Sequence, residues 1–199
     1  MQLLPITRAI VSVTDKSGLA DFARSLAERG VELVSTGGTM KALSAAGLPV
    51  TGVAEVTWFP EILDGRVKTL HPRIHGGILA DKDSPAHLAT LNEHEIAPFD
   101  LVCVNLYDFA SAAQKWLSLK EAVEEIDIGG PTLLRAAAKN FHSVLVVPQP
   151  RHYPAVLAEI EANRGCVGLG LRRTLAAETF RLVSAYDAMI AAYLAGQQA

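Results

Sequence analysis

The run Asp100-Leu-Val-Cys-Val-Asn105 constrains the fold more than any other stretch of this chain. Its four central residues are all apolar, so a strand built from them has no face to give to water, and helices must cover its sheet on both sides. The flanking segments supply such helices. Ala9-Ile-Val-Ser-Val13 reads as a strand, and after it Leu19, Phe22, Ala23, Leu26 and Ala27 fall at i, i+3, i+4 spacing before Gly30 stops the helix. The unit repeats: Val31-Glu-Leu-Val34 predicts a strand, Thr36-Gly-Gly-Thr39 a turn, and Met40, Leu43 and Ala46 a short helix ended by Gly47. Pro49-Val-Thr-Gly-Val53 is a weaker strand. Beyond the apolar run, Leu119 to Ile126 reads as a helix that Asp127-Ile-Gly-Gly130 breaks. Pro131 suits the first position of a new helix reaching Asn140, and Ser143-Val-Leu-Val-Val147 is the next strand.

This alternation predicts an α/β fold, a mostly parallel sheet flanked by helices, with ligands held beyond the carboxyl ends of the strands. The polar stretch from Glu55 to Pro98 has little periodicity apart from a helix around Ala86 to Glu95, and its loops are where function is expected. Near the end, Leu175, Leu182, Tyr186, Met189 and Tyr193 line one stripe of a long C-terminal helix, flanked by Val183 and Ile190. That helix packs either on the sheet or on a partner subunit, and it makes a homodimer reasonable.

With 199 residues, 50% hydrophobic and 20% charged, residues 1–199 are expected to form a single domain around one core. A net charge of -3 gives no overall basic field for nucleic acid or anionic lipid, so any phosphate must be gripped locally. The apolar stretches fall short of the ~20 residues that cross a bilayer, and the first residues lack a signal-peptide layout. No membrane partner is expected, and the cytoplasm is the expected compartment. Cys103 sits in the apolar run as a small hydrophobe, and no disulfide to Cys166 is expected. His71 and His75 are four apart, but Pro72 argues against a helix there and no third ligand is visible, so no metal is expected.

Four polar clusters follow strands or open helices, and each has a bland explanation. Thr14-Asp-Lys-Ser-Gly18 could be a capped turn. Thr36-Gly-Gly-Thr39 offers hydroxyls and open amides at a helix N-terminus, which favour an anion, though the motif is short. Gly65-Arg-Val-Lys-Thr-Leu-His-Pro72 alternates cations with apolar residues as a solvated edge strand would. Asp127-Ile-Gly-Gly130, with Lys139 and Asn140 one helix later, could be a helix cap and a surface lysine. No nucleoside triphosphate loop or dinucleotide fingerprint is present. In one parallel α/β chain, the four clusters together could grip a phosphorylated small molecule.

The strings Ser12-Val-Thr-Asp-Lys-Ser-Gly18, Ser35-Thr-Gly-Gly-Thr39, Gly65-Arg-Val-Lys-Thr-Leu-His-Pro72, His75-Gly-Gly-Ile-Leu79, Asn105-Leu-Tyr107, Ile126-Asp-Ile-Gly-Gly130 and Ala136-Ala-Ala-Lys-Asn140 carry a resemblance in both order and spacing. They resemble the inosine monophosphate (IMP) cyclohydrolase domain of the bifunctional AICAR transformylase/IMP cyclohydrolase family. The tail strings Leu175-Ala-Ala-Glu-Thr-Phe180 and Ala185-Tyr-Asp187 are similar to the end of that domain. The resemblance implies a methylglyoxal-synthase-like fold. It also implies closure of 5-formamido-imidazole-4-carboxamide ribonucleotide to IMP with loss of water, the last step of purine synthesis, without metal or redox cofactor.

It further implies that Thr14, Lys16, Thr36, Gly37, Gly38, Thr39 and Thr69, with Arg66 beside them, hold the phosphate and ribose. Lys68, Tyr107, Asp127 and Lys139 take the catalytic roles, with Asn105 and the Ile128 and Gly129 amides near the base. Relatives continue into a formyltransferase domain, so a chain ending at Ala199 is not expected to transfer formyl groups. Trp58 stands where relatives usually have glycine, and Asp108 where they have proline. Two rivals stay open: methylglyoxal synthase chemistry, and a regulatory domain of the same fold that senses a nucleotide without turning it over.

Overall fold

The computed structural model describes residues 2–106, Phe109 and 118–196. The strands are β1 (Leu3–Pro5), β2 (Arg8–Ser12), β3 (Glu32–Ser35), β4 (Thr51–Gly52), β5 (Leu101–Val104), β6 (Leu145–Val147) and β7 (Cys166–Gly168). Five of them form one sheet in the order β4-β3-β2-β5-β6, and every pairing in it is parallel. The helices are α1 (Leu19–Ala27), α2 (Gly37–Ala45), α3 (Val53–Thr57), α4 (Pro72–Leu79), α5 (Pro85–Glu93), α6 (Leu119–Glu124), α7 (Gly129–Lys139), α8 (Tyr153–Ala162) and α9 (Leu169–Ala195).

All four residues of β5 are buried, as its unbroken apolar run requires. Helices α1 and α8 pack together, Phe22 stacking on Tyr153 with ring centroids 4.2 Å apart, while α4 and α9 pack on α7, which lies on β5 and β6. Each Val, Leu or Ile fully withdrawn from water contributes roughly 1.5–3 kcal/mol, so this two-sided core is the main source of stability. The thiol of Cys103 is pushed up to about 12 by that burial, and both cysteines are free.

Several elements differ from the sequence expectations. The proline that argued against a helix after His71 in fact starts α4: at the first helical position it withholds no needed amide, and His71 Nδ1 accepts the Arg73 N–H at 3.1 Å. Helix α7 begins at Gly129, two residues before Pro131. The N-terminal strand β1 pairs antiparallel with β7, and neither strand nor helix α8 is marked by clear periodicity. Helix α9 turns its buried residues, Arg172, Leu175, Ala176, Thr179, Val183 and Tyr186, onto α7 and β6. It therefore packs on its own domain. No helix among the described residues is long and apolar enough to cross a membrane.

The amino edge of the sheet is closed by internal polar contacts. Asp100 Oδ2 accepts the N–H groups of Thr7 and Arg8 at 2.8 and 2.9 Å and the Thr7 hydroxyl at 2.6 Å. Lys82 pairs with Asp100, and the Arg172 guanidinium donates to Phe141, His142 and Gln2 carbonyls. These charges are consumed in holding the fold together.

Candidate active site

At the opposite, carboxyl edge the polar groups are open. The chain order of the strands reverses between β2 and β5, the place where open parallel sheets leave a crevice. Asn105, directly after β5, fastens the loop after β2: its Oδ1 accepts the Thr14 and Asp15 N–H groups at 2.6 and 3.1 Å, and its Nδ2 donates to the Asp15 carbonyl at 2.9 Å. Lys16 arches over this loop, with Nζ 3.3 Å from the Thr14 carbonyl.

Next to it, the Thr36-Gly-Gly-Thr39 turn opens α2. Gly37 has φ 55, a left-handed conformation that a side chain would strain, and the Thr36 side chain caps nothing. The amides of Gly37, Gly38 and Thr39 have no carbonyl one turn back, so they are available to an anion. The Thr39 hydroxyl is not: it is buried, accepting the Val13 N–H and donating to the Val13 carbonyl, both at 2.9 Å. Thr39 can offer a ligand only its backbone, while its side chain ties the α2 turn to the β2 loop.

The segment after the 3-10 turn Leu63–Gly65 lies against the start of α7. A methyl group on Gly129 would come within 3.2 Å of Thr69 Oγ1, and one on Gly130 within 2.2 Å of Asp127 Oδ2, so only glycine lets the carboxylate lie so close. Asp127 Oδ1 accepts the Gly130 N–H at 3.0 Å, so from just before the N-cap residue Ile128 this carboxylate satisfies an open amide of the first turn of α7. Burial nevertheless holds its pKa above the usual carboxylate value, outweighing the Gly130 and Gly129 amides and the nearby Lys68 charge.

Thr14, Lys16, Thr36, Gly37, Gly38, Thr39, Lys68, Thr69, Asn105, Asp127, Ile128 and Gly129 thus share the carboxyl edge. Tyr107 and Asp108 lie outside the described residues. Arg66 is exposed and pairs with Glu124 of α6, while Lys68 Nζ lies 3.6 Å from Glu61. Lys139 is not brought to this edge. It closes α7, ~15 Å from Gly129 along the helix axis, farther than its side chain reaches. The next residue, Asn140, donates to the carbonyls of Ile78 and Ala80 at 2.7 and 2.9 Å, at the end of α4 that borders the amino edge.

The sequence reading missed Glu61, Glu124 and Tyr186 as groups facing the site. Tyr186 was legible only as one position of an apolar stripe, yet its Oη accepts the Asp127 N–H at 2.8 Å. A cleft of about 410 Å³ opens here, lined among others by Asp15, Asn105, Leu106, Gln149 and Tyr186. A smaller hollow, about 270 Å³, lies by Trp58 and Arg73, away from these clusters. Its arginines are engaged, Arg8 with Glu32 and the Ala97 carbonyl, and Arg73 with the Glu95 carbonyl and the Trp58 ring. Among the described residues no three His, Cys, Asp or Glu side chains gather as a metal site would need.

Residues 18–132 match the MGS-like domain family, and residues 137–199 match the AICARFT/IMPCHase bienzyme family. The chain belongs to the MGS-like domain family. It is 57% identical over 188 residues to the bifunctional purine biosynthesis protein PurH of Halalkalibacterium halodurans, covering 94% of this chain and 37% of that protein. The PurH protein of Rhodospirillum rubrum is 53% identical over 194 residues, covering 98% and 37%. The chain therefore spans little more than a third of the length of the curated relatives it matches. Among solved structures, the crystal structure of ForH superposes with a TM-score of 0.88 at 36% identity, covering 96% of this chain and all of that one. The methylglyoxal-synthase-like α/β fold expected from the motifs is thus the fold of the chain.

Proposed function

We propose that this edge binds 5-formamido-imidazole-4-carboxamide ribonucleotide and closes it to IMP, a cyclohydrolase step at the end of purine biosynthesis. The observation that carries the reading is the convergence of an anion-ready helix start at Gly37 to Thr39 with a cation, Lys68, and a buried carboxylate, Asp127, on one sheet edge. The match of residues 137–199 to the AICARFT/IMPCHase bienzyme family, beside relatives named for purine biosynthesis, supports the substrate class.

The 5′-phosphate sits on the Gly37, Gly38 and Thr39 amides, with Thr14, Lys16 and the Thr36 hydroxyl around it and Thr69 toward the ribose. Arg66 joins them by leaving Glu124. Asn105 has spent its carbonyl on the β2 loop and retains one N–H for the base. In the reaction the carboxamide nitrogen attacks the formyl carbon, its proton passing to a base. The carbinolamine then loses its hydroxyl with a proton as water, giving the pyrimidine ring. Both reacting groups are neighbours on one ring, so much of the catalysis is the freezing of two rotors.

In this reading Asp127 orients or deprotonates the carboxamide, and Lys68 stabilises the oxygen that gains charge. The Ile128 and Gly129 amides complete that end, and Tyr107 remains the proposed proton shuttle. Lys139, at the far end of α7, is left out of the proposed reacting set. The chemistry asks for no metal or redox cofactor.

Purified protein mixed with the formamido ribonucleotide should produce IMP, seen as hypoxanthine absorbance, and Lys68→Ala should lower turnover by about 10²–10³. IMP binding without turnover would favour the sensing domain, and methylglyoxal from dihydroxyacetone phosphate would favour the synthase.

A further inference from the structure

We infer that Tyr186 is a positioning residue for Asp127, the post against which the proposed base is held. Asp127 lies in the irregular link between α6 and α7. Among the described residues its carboxylate is hydrogen-bonded within its own turn, to the Gly130 and Gly129 amides, and those bonds cannot fix the turn relative to the sheet. The bond from the Asp127 N–H to Tyr186 Oη does, because Tyr186 belongs to a different and firmly rooted element. Helix α9 is 27 residues long and is pinned near its start by Arg172, which donates to Phe141, His142 and Gln2 carbonyls. Tyr186 itself is only 5% exposed and lines the cleft beside Asn105 and Leu106.

The hydroxyl is neutral across the working pH range, since burial raises its pKa. Among the described residues its own proton has no acceptor. Among the described residues, few charged and titratable groups surround the pair. Asp127 is faced by Lys68, itself paired with Glu61, from the loop before α4, by the Gly129 and Gly130 amides of α7, and by Tyr186 of α9. Tyr186 is faced by Asp127 and by Asp187 of its own helix, with Asp15 on the rim of the shared cleft. Without the phenolic oxygen the Asp127 N–H has lost its partner, and the turn is free to move the carboxylate toward water.

The test is Tyr186→Phe, read in two ways. In protein with ¹³C-labelled aspartate, with the Asp127 signal assigned from Asp127→Asn, the Asp127 midpoint should fall toward its ordinary value by about half a pH unit or more. In the cyclisation assay kcat should fall about tenfold or more at near-parental KM, the acid limb of the pH profile moving with the midpoint. The kinetic half rests on the ring closure proposed above, but the titration does not. A shifted midpoint in a protein whose parent forms no IMP would keep the Tyr186 link and reject the activity. An unchanged midpoint and kcat, with only a lower melting temperature, would overturn the inference. If Tyr186→Phe does not fold, 2,3-difluorotyrosine at this position keeps the shape and weakens the acceptor. A smaller shift in the same direction supports the link, and none overturns it.

Discussion

A carboxylate withdrawn from water costs stability in its ionised form, the form that the proposed ring closure would use. Asp127 has a folded-state pKa above its unfolded one, so ionising it favours the unfolded chain. Its stability contribution is complete below the unfolded value, ~3.9, and is lost as pH rises through the raised folded value. Asp127→Asn keeps an acceptor for the Gly130 N–H and removes the charge. Its melting temperature relative to the parent should therefore rise between about pH 3 and about pH 7, while turnover falls about 10²–10⁴-fold. Thermal scans across that range and the IMP assay check both halves. A variant that loses stability relative to the parent on going to neutral pH would contradict the account. Asn105 is the converse case, a neutral group whose worth is structural. Asn105→Leu strands two backbone amides and should cost about 2–4 kcal/mol in urea unfolding, where an exposed Asn would cost nothing measurable. Sequence could name Asp127 and Asn105 but could not tell the charged role from the stapling one, because hydrogen-bond partners ninety residues apart leave no local pattern. Trp58 is similar: its φ of 55 shows why glycine suits that position, and the Arg73 guanidinium 3.7 Å from its ring centroid holds the larger residue there.

At the scale of elements, the α2 turn and the β2 loop are one unit through Thr39. Thr39→Val removes a hydroxyl that bonds both polar groups of Val13, and should lower stability by about 1–3 kcal/mol while loosening the anion cradle. Thr39→Ser should restore both, as measured by urea unfolding and IMP titration. Helix α7 carries the opposite lesson, since it separates what the motifs place together. Lys139→Gln should leave the pH profile of kcat unchanged, whatever it does to stability, and loss of a limb would return Lys139 to the chemistry. Strands β2 to β6 and α1, α2, α5 and α6 were legible because periodicity and glycine stops are local signals. Helix α4 was not, since Pro72 reads as a breaker unless its place at the first helical position is known. The short β1 and β7 were also hidden, because three-residue strands paired across the whole chain owe their existence to each other.

For the whole molecule, the two edges of the sheet divide the labour. Buried Asp100 and Arg172, with the half-buried Lys82, lock the amino edge, and the open amides, Lys16, Lys68 and Asp127 gather at the other. The parallel order that made this possible was readable from one apolar run, whereas the pairing of Arg66 with Glu124 and Lys68 with Glu61 needed the folded chain. A crystal structure with IMP bound decides the matter most directly. The phosphate oxygens should lie within hydrogen-bond distance of the Gly37, Gly38 and Thr39 amides, with the hypoxanthine ring against Asp127 and Lys68. A nucleotide whose phosphate lies elsewhere, or whose base points away from Asp127, would contradict the account.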